Sequence, residues 1–416
     1  MLVGSDAQEP QQKMTGTNPT EQHVGIHHLH DDVSINFQLN RWVAWTGGDA
    51  LPDIRSIASQ MTDFATSQRL FLRLAETALA QEDLRRAAFH IRAAEFFLPG
   101  DDPEKRPLRA RFVELLLRSR GMNDSDRDRV PFGTGWLPAY HFDAPQPKGT
   151  VLVFGGFDSY IEELFPIMDA LSAHGWEVVG FDGPGQGGAL EEAGLAFMVE
   201  WERPVAAVLD YYGLTEVTLL GISLGGGLAV RAAAFEPRIR RIICDDALFD
   251  LLEVSLRQVP VMLRGVLAGL VAAGADSAVD ALADRAVRRS PVLEWGLHQG
   301  MHVFGVDSPS AYLRAAARFR TVAYSDQVRA DTLLLAGAED HYIPLHQFHQ
   351  QMAALASARS ITGHILTRAD DAQSHCHIGN LGLSVELMTG WLDQMARSDS
   401  RRARQLNGTL PSVDST

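Results

Sequence analysis

A serine flanked by glycines is the first candidate for chemistry in this sequence. Ser223 lies in segment 221–225, GISLG, which follows an apolar run at 217–220 and precedes a helix-forming run at 228–234. A G-x-S-x-G segment between a strand and a helix is typical of a nucleophile elbow, because the glycines permit a tight turn that lifts the hydroxyl out of the sheet. A phosphate-binding loop is the alternative, but the Lys-Ser/Thr and G-x-G-x-x-G patterns are both missing. We therefore predict that Ser223 is a nucleophile.

A serine hydroxyl reacts only when a base removes its proton and a third group orients that base. The expected order along the chain is serine, acid, histidine. Asp340 follows an apolar run at 332–335, where a loop would present a carboxylate, and Glu339 is its local competitor. His375 and His377 lie before the last amphipathic run. We predict Asp340 as the acid and His375 as the base, with His377 in a supporting or structural role and no metal between the two histidines.

The oxyanion of an acyl-transfer reaction needs two backbone N–H donors. Leu224, directly after the serine, supplies one by its position. The loop after the first core strand contains Gly156 and Phe157, and we predict that one of these two residues supplies the other.

The elements that must position these residues are short apolar runs that alternate with helical segments. Continuous Val/Ile/Leu runs separated by helices indicate a parallel sheet that is covered on both faces, so the predicted fold class is α/β. The runs lie at 151–154, 178–181, 217–220, 241–244 and 332–335, with a weaker strand at 361–367, an antiparallel entry hairpin at 136–142 and a final helix at 383–395.

Composition and periodicity divide the chain into six predicted parts. Polar ends without apolar period predict disordered tails, and apolar residues at helical spacing from residue 53 to about 120 predict an N-terminal packing domain of three or four helices. The long helical insertion after the fourth core strand predicts a lid. The parts are a tail at 1–34, the helical domain at 35–125, the first half of the core at 126–250, the lid at 251–325, the second half of the core at 326–397 and a tail at 398–416.

Bulk properties exclude several classes of function. The 416 residues carry a formal net charge of −15, which disfavours nucleic acid as a partner. Two cysteines are too few for a disulfide framework, and no secretory signal or bilayer-length apolar segment is seen, so we expect a cytoplasmic protein without a membrane partner. His23, His27, His28 and His30 lack a ligand framework and are interpreted as part of a solvated tail. We expect a small-molecule substrate, and a homodimer stays open.

Several segments together resemble one branch of the α/β-hydrolase superfamily. The branch includes the fermentation/respiration switch protein, the bacterial 2,6-dihydroxypseudooxynicotine hydrolase and fungal hydrolases that shorten polyketide chains. The similar segments are 93–97 (AAEFF), 181–187 (FDGPGQG), 221–226, 235–239 (FEPRI) and 374–377 (SHCH), within a resemblance that covers about residues 35 to 395.

The resemblance implies a Ser-His-Asp hydrolase of secondary metabolism that needs no cofactor and cleaves a C–C bond in a ketone or β-dicarbonyl compound. It supports His375 over His377 as the base and suggests Glu253 as an auxiliary acid; Asp245 and Asp246 also lie at the end of that strand. The alternatives are a carboxylesterase or thioesterase, a non-hydrolytic cyclase or dehydratase on the same fold, and a non-enzymatic protein that binds a partner through its helical domain.

Overall fold

The computed structural model describes residues 23–288 and 290–408, and an eight-stranded sheet forms its centre. The strands are β1 (Asp128–Phe132), β2 (Gly135–Phe142), β3 (Thr150–Phe154), β4 (Glu177–Phe181), β5 (Val217–Ile222), β6 (Ile239–Asp245), β7 (Asp331–Gly337) and β8 (Ser360–Leu366). They lie in the order β1-β2-β4-β3-β5-β6-β7-β8. β1 pairs with β2 and β2 with β4 in antiparallel fashion, and every other neighbouring pair is parallel. The predicted α/β class and entry hairpin are confirmed.

Helices cover both faces of this sheet. They are α1 (Val33–Trp45), α2 (Leu51–Ala58), α3 (Phe64–Ala80), α4 (Leu84–Phe96), α5 (Lys105–Ser119), α6 (Phe165–Ala173), α7 (Gly187–Glu191), α8 (Glu202–Tyr211), α9 (Leu224–Phe235), α10 (Leu251–Ser255), α11 (Val261–Ala272), α12 (Asp276–Val287), α13 (Pro291–Phe304), α14 (Pro309–Ala316), α15 (Leu345–Ala354) and α16 (Leu381–Gly408). Short 3-10 turns lie at Asp124–Asp126, Ile161–Leu164, Thr321–Ala323, Ser325–Gln327, Arg368–Asp370 and His375–His377. Every residue of β3, β5 and β7 is buried, as strands covered on both faces require.

The N-terminal region has five helices, α1 to α5, where periodicity predicted three or four. Aspartates cap three of them: Asp32, Asp63 and Asp83 each accept a backbone N–H from the first turn of the helix that follows. Each cap marks the start of a separate helix, so an apolar period that looks continuous in the sequence belongs to several helices.

At both ends the described fold extends into the intervals predicted as tails. The Gly25 N–H donates to the Gly379 carbonyl oxygen at 2.7 Å, and the His27 N–H donates to Asn40 Oδ1 at 2.8 Å. These bonds join residues 23–32 to the folded domain, so its boundary lies before residue 35, while residues 1–22 lie outside the described part. At the other end, α16 continues past 397 to Gly408, and Asp399 on it forms an ion pair with Arg241 of β6. Residues 409–416 lie outside the described part.

Five helices, α10 to α14, occupy the insertion between β6 and β7, within the interval predicted to form the lid. Within 23–288 and 290–408, none of the helices combines the length and the apolar character that a membrane crossing requires.

A buried ionic network joins the N-terminal helices to the loop after β3. Glu163 accepts from Arg41 Nη2 at 2.6 Å and from Arg92 Nε at 2.8 Å, and all three side chains are buried. Lys105 Nζ donates to Glu95 Oε1 at 2.7 Å, and Glu95 also pairs with Arg92 of the same network. Because buried charges are tolerated only when they are paired and hydrogen-bonded, this network fixes how the helical region lies on the core.

Candidate active site

Ser223 lies in a sharp turn between β5 and α9, as the elbow prediction requires. Its backbone has φ 61° and ψ −123°, in the left-handed half of φ space that non-glycine residues rarely adopt. The flanking glycines are sterically necessary. A Cβ on Gly221 would lie 2.0 Å from the Gly225 carbonyl oxygen, and one on Gly225 would lie 2.6 Å from the Gly155 carbonyl oxygen.

The structure brings together the three side chains that the sequence nominated as serine, acid and base. His375 Nε2 lies 2.8 Å from Ser223 Oγ, and His375 Nδ1 lies 2.6 Å from Asp340 Oδ2. The other oxygen of Asp340 accepts the N–H groups of Tyr342 and Ile343 at 2.7 and 2.9 Å. When Nδ1 donates its proton to Asp340, Nε2 is left as the acceptor for the Ser223 hydroxyl. The arrangement can therefore move a proton from the serine to the imidazole.

The pKa shifts of His375 and Asp340 also favour proton transfer from Ser223 to His375. Burial alone would lower the pKa of His375, but the Asp340 carboxylate, the Cys376 thiol and Asp246 outweigh it and hold that pKa well above its usual value. Burial alone would raise the pKa of Asp340, but the charge of His375 and its hydrogen bond outweigh it and hold that pKa below its usual value. An anionic Asp340 suits general-base catalysis by His375, because it stabilises the imidazolium that forms when Ser223 loses its proton.

His377 forms a separate buried pair. Its Nδ1 lies 2.6 Å from Asp245 Oδ1, and neither side chain is more than 1% exposed. Burial would lower the pKa of His377, but the Asp245 carboxylate outweighs it and raises the pKa to about 8. His377 is thus held beside the triad with no contact to Ser223 among its described hydrogen bonds and ion pairs. The ligand atoms of His377, Asp245 and Asp246 lie within 4.8 Å of one another, which is close enough for a metal ion, but the 2.6 Å contact is that of an ion pair.

The loop after β3 lies directly against the elbow. A Cβ on Gly156 would come within 3.0 Å of the Leu224 backbone nitrogen, so only glycine allows this approach. The Gly156 N–H donates to Ser159 Oγ at 3.2 Å, whereas no described residue accepts the N–H of Phe157. Gln186 Nε2 donates to the Gly155 and Gly156 carbonyl oxygens at 2.7 and 3.1 Å and fixes the loop. Leu224, at the first position of α9, also has a free N–H by helix geometry.

A cavity of about 160 Å³ opens above Ser223 and His375 between the core, the helical insertion α10 to α14 and α1. Its wall is mostly apolar and aromatic, and a few polar groups reach it, among them the hydroxyl pair of Ser255 and Tyr312, whose oxygens lie 2.8 Å apart. The apolar residues include Phe37, Trp45, Phe157, Leu251, Trp295 and Tyr342. A small apolar space with few polar groups suits a hydrophobic small molecule.

The suggested auxiliary acid, Glu253, does not reach the site. Its carboxylate lies 2.9 Å from His346 Nε2, accepts from Gln347 Nε2 at 2.9 Å and is 41% exposed. Glu253 is not among the residues that line the cavity, although Val254 and Ser255, which follow it on α10, are. Successive residues of the short helix α10 point in different directions, and Glu253 lies on the side that faces away from the cavity. A second acid that does reach the histidine, in addition to Asp340, is Asp246, with Oδ2 3.0 Å from His375 Nδ1, and its only sequence signal is its place at the end of a strand.

Comparisons with known proteins agree with this fold. Residues 150–376 match the family model described as alpha/beta hydrolase fold. The chain is 33% identical over 338 residues to the 20-hydroxy-prefusarin hydrolase FUS2 of Gibberella moniliformis, covering 74% of this chain and 79% of that protein.

Two solved structures share the fold. The 2,6-dihydroxy-pseudo-oxynicotine hydrolase superposes with a TM-score of 0.57 at 23% identity, over 79% of this chain and 86% of that one. AbyA5 superposes with a TM-score of 0.64 at 19% identity, over 91% of this chain and 98% of that one. In both cases the similarity extends beyond the matched 150–376 segment.

Proposed function

Because the chain is a hydrolase of the α/β-hydrolase family, we propose that Ser223 is its nucleophile, His375 its general base and Asp340 the acid that orients the base. One observation carries the proposal: a single imidazole lies 2.8 Å from the serine oxygen and 2.6 Å from a buried carboxylate, in the wall of an apolar cavity. The same arrangement of serine, histidine and acid recurs on unrelated folds, so the role of each residue can be inferred from the geometry.

The proposed reaction begins when His375 takes the Ser223 proton and Oγ bonds to the substrate carbonyl carbon. The C=O electron pair moves to the oxygen, where the N–H groups of Leu224 and of the 156–157 loop stabilise it. We favour Phe157 over Gly156 as the loop donor, because the Gly156 N–H already has a partner in Ser159. The tetrahedral intermediate expels the leaving group, which receives the proton held by His375: an oxygen or sulfur leaving group takes it directly, and a carbanion takes it through the hydroxyls that line the cavity. Water, deprotonated by His375, then releases the acid and restores Ser223.

The proposed substrate is a ketone or β-dicarbonyl compound that is cleaved at a C–C bond. The related FUS2 is named as a hydrolase of 20-hydroxy-prefusarin, which supports an organic metabolite as the kind of substrate. A departing carbanion must be protonated at carbon, and the cavity offers proton donors in the paired hydroxyls of Ser255 and Tyr312. An ester or thioester is the second candidate, because the triad geometry is equally suited to an oxygen or sulfur leaving group.

Matched substrate pairs test the choice of bond. A β-diketone and an ester that share one acyl group are assayed in ¹⁸O-labelled water, first with the wild-type chain and then with Tyr312→Phe. Our proposal predicts ¹⁸O in the released acid, faster turnover of the diketone, and a selective loss of diketone turnover in Tyr312→Phe. Turnover of the ester alone would make the protein an esterase, and a product without ¹⁸O would indicate non-hydrolytic chemistry.

A further inference from the structure

A second buried carboxylate lies against the base. Asp246 Oδ2 is 3.0 Å from His375 Nδ1, the same nitrogen that lies 2.6 Å from Asp340 Oδ2. The side chain of Asp246 is 2% exposed. One imidazole nitrogen therefore lies within ion-pair distance of two carboxylates, and its hydrogen bond goes to Asp340.

The sheet brings both acids to this nitrogen. β6 and β7 are parallel neighbours, and Asp245 at the end of β6 pairs with Leu335 of β7. Asp246 directly follows β6, and Asp340 lies in the loop that follows β7. Because the carboxyl ends of parallel strands meet at one edge of a sheet, the two side chains approach His375 from neighbouring strands.

Backbone support does not explain the charge of Asp246. Its Oδ2 accepts the Cys376 N–H at 2.7 Å, a bond that a neutral asparagine oxygen could also accept. In the described part of the chain its ion-pair partners are His375 and, at 3.7 Å, His377, with no arginine or lysine. A buried carboxylate without a permanent cation is costly, and a second carboxylate beside it adds repulsion. Both costs fall when His375 carries a proton.

Resting on the proposed function, we propose that Asp246 is a second positioning carboxylate of the site, which shares the Nδ1 proton of His375 with Asp340 and stabilises the imidazolium that forms when Ser223 attacks. The triad thus has two acids on one base. Either acid holds the tautomer that leaves Nε2 free for the serine, so loss of Asp340 alone leaves part of the orienting function in place.

Besides Asp246 and Asp340, the charged groups near His375 include the His377–Asp245 pair, whose His377 Nε2 lies 3.7 Å from Asp246 Oδ1. Ser223, the Cys376 thiol and the rings of Phe37 and Tyr342 lie around the imidazole, and His341 is a further titratable neighbour. Burial and the charge of His375 lower the pKa of His341 to about 3, so His341 is neutral across the useful pH range.

The test compares Asp246→Asn, Asp340→Asn and the double variant in the pH profile of kcat/KM for an activated ester. Asp246→Asn removes a negative charge beside the base, so the acidic limb of the profile moves to lower pH and kcat falls about tenfold. Asp340→Asn loses about 10²-fold in kcat, and the double variant loses about 10⁴-fold, the loss expected when the orienting acid is gone. A purely structural role for Asp246 would leave the acidic limb in place.

Asp245→Asn is the matched control, because it neutralises the adjacent buried carboxylate, which pairs with His377 instead of His375. It lowers the thermal midpoint without moving the acidic limb. The inference is overturned if the acidic limb of Asp246→Asn coincides with the wild-type limb, or if the double variant is no slower than Asp340→Asn. Activity that persists in Ser223→Ala would instead overturn the proposed function, so the two failures are distinguishable.

Discussion

Gly156 and Ser223 are in such close contact that a single added methyl group would have no room: a Cβ on Gly156 would lie 2.9 Å from the Ser223 Cβ. Gly156→Ala must push the loop after β3 away from the elbow, which misplaces one of the two oxyanion donors. Loss of one such donor lowers kcat by about 10²- to 10³-fold, and we expect a fall of this size in steady-state assays.

Gly269→Ala serves as the control, because a Cβ at this position of α11 meets no atom within 4 Å. It should leave kcat unchanged and stabilise the helix slightly. Equal kcat values for Gly156→Ala and Gly269→Ala would show that the 156–157 loop takes no part in catalysis.

Trp295 is predicted to limit the size of the substrate. It lines the catalytic cavity and also an outer groove of about 350 Å³ between the N-terminal helices and α13, and its indole N–H donates to the Phe96 carbonyl oxygen at 3.1 Å. Trp295→Ala joins the two spaces. We expect kcat/KM for a bulky acyl ester to rise about tenfold relative to a short one.

Phe64→Ala is matched to this change, since Phe64 lines the groove but not the cavity. A chain-length series of esters measures both variants. If the preference for short esters were the same in wild type and Trp295→Ala, the indole would not be the boundary of the pocket.

The buried ionic network predicts a large cost for removing one charge. Glu163→Gln leaves Arg41 and Arg92 without their shared carboxylate, and breaking a buried ion pair costs about 3–5 kcal/mol of unfolding free energy. Glu114→Gln removes the partner of Arg111 and Arg118 on the surface and should cost less than about 1 kcal/mol. Urea denaturation compares the two variants. Similar free energies for both would mean that the network does not hold the helical region in place.

The His377–Asp245 pair predicts a pH dependence of stability. The pKa of His377 is about 8 in the folded chain, above an unfolded value of about 6.5, so the folded state binds the proton more tightly. The pair therefore contributes about 2 kcal/mol that is fully present below pH 6.5 and is lost as the pH rises through 8. His377→Gln should remove this component. Urea denaturation at pH 6 and pH 9 measures the free energy of unfolding of the wild-type chain and of His377→Gln. The same change between the two pH values in both chains would contradict a contribution from the His377–Asp245 pair.

The sequence could nominate the three residues proposed as the triad because each lies just after a strand or before a helix that the apolar runs reveal. The positions of Ser223, Asp340 and His375 follow from the order of strands and helices, and the spacing of apolar residues in the sequence reveals that order. Asp246 also follows a strand, but nothing in the sequence distinguishes it from Asp245, because its contact with His375 depends on how two strand ends converge on one imidazole. Glu253, which the resemblance suggests as an auxiliary acid, does not line the cavity, because the direction in which a one-turn helix presents a side chain depends on tertiary packing. The five-helix division of the N-terminal region depends on caps that interrupt a nearly continuous period.

Covalent labelling of the nucleophile tests the central claim most directly. A fluorophosphonate probe reacts only with an activated serine, and mass spectrometry locates the modified residue. The proposal predicts one label on Ser223 of the wild-type chain, no label on Ser223→Ala, and a loss of turnover on the order of 10⁶-fold in that variant. A label at another serine, or near-normal turnover by Ser223→Ala, would contradict it.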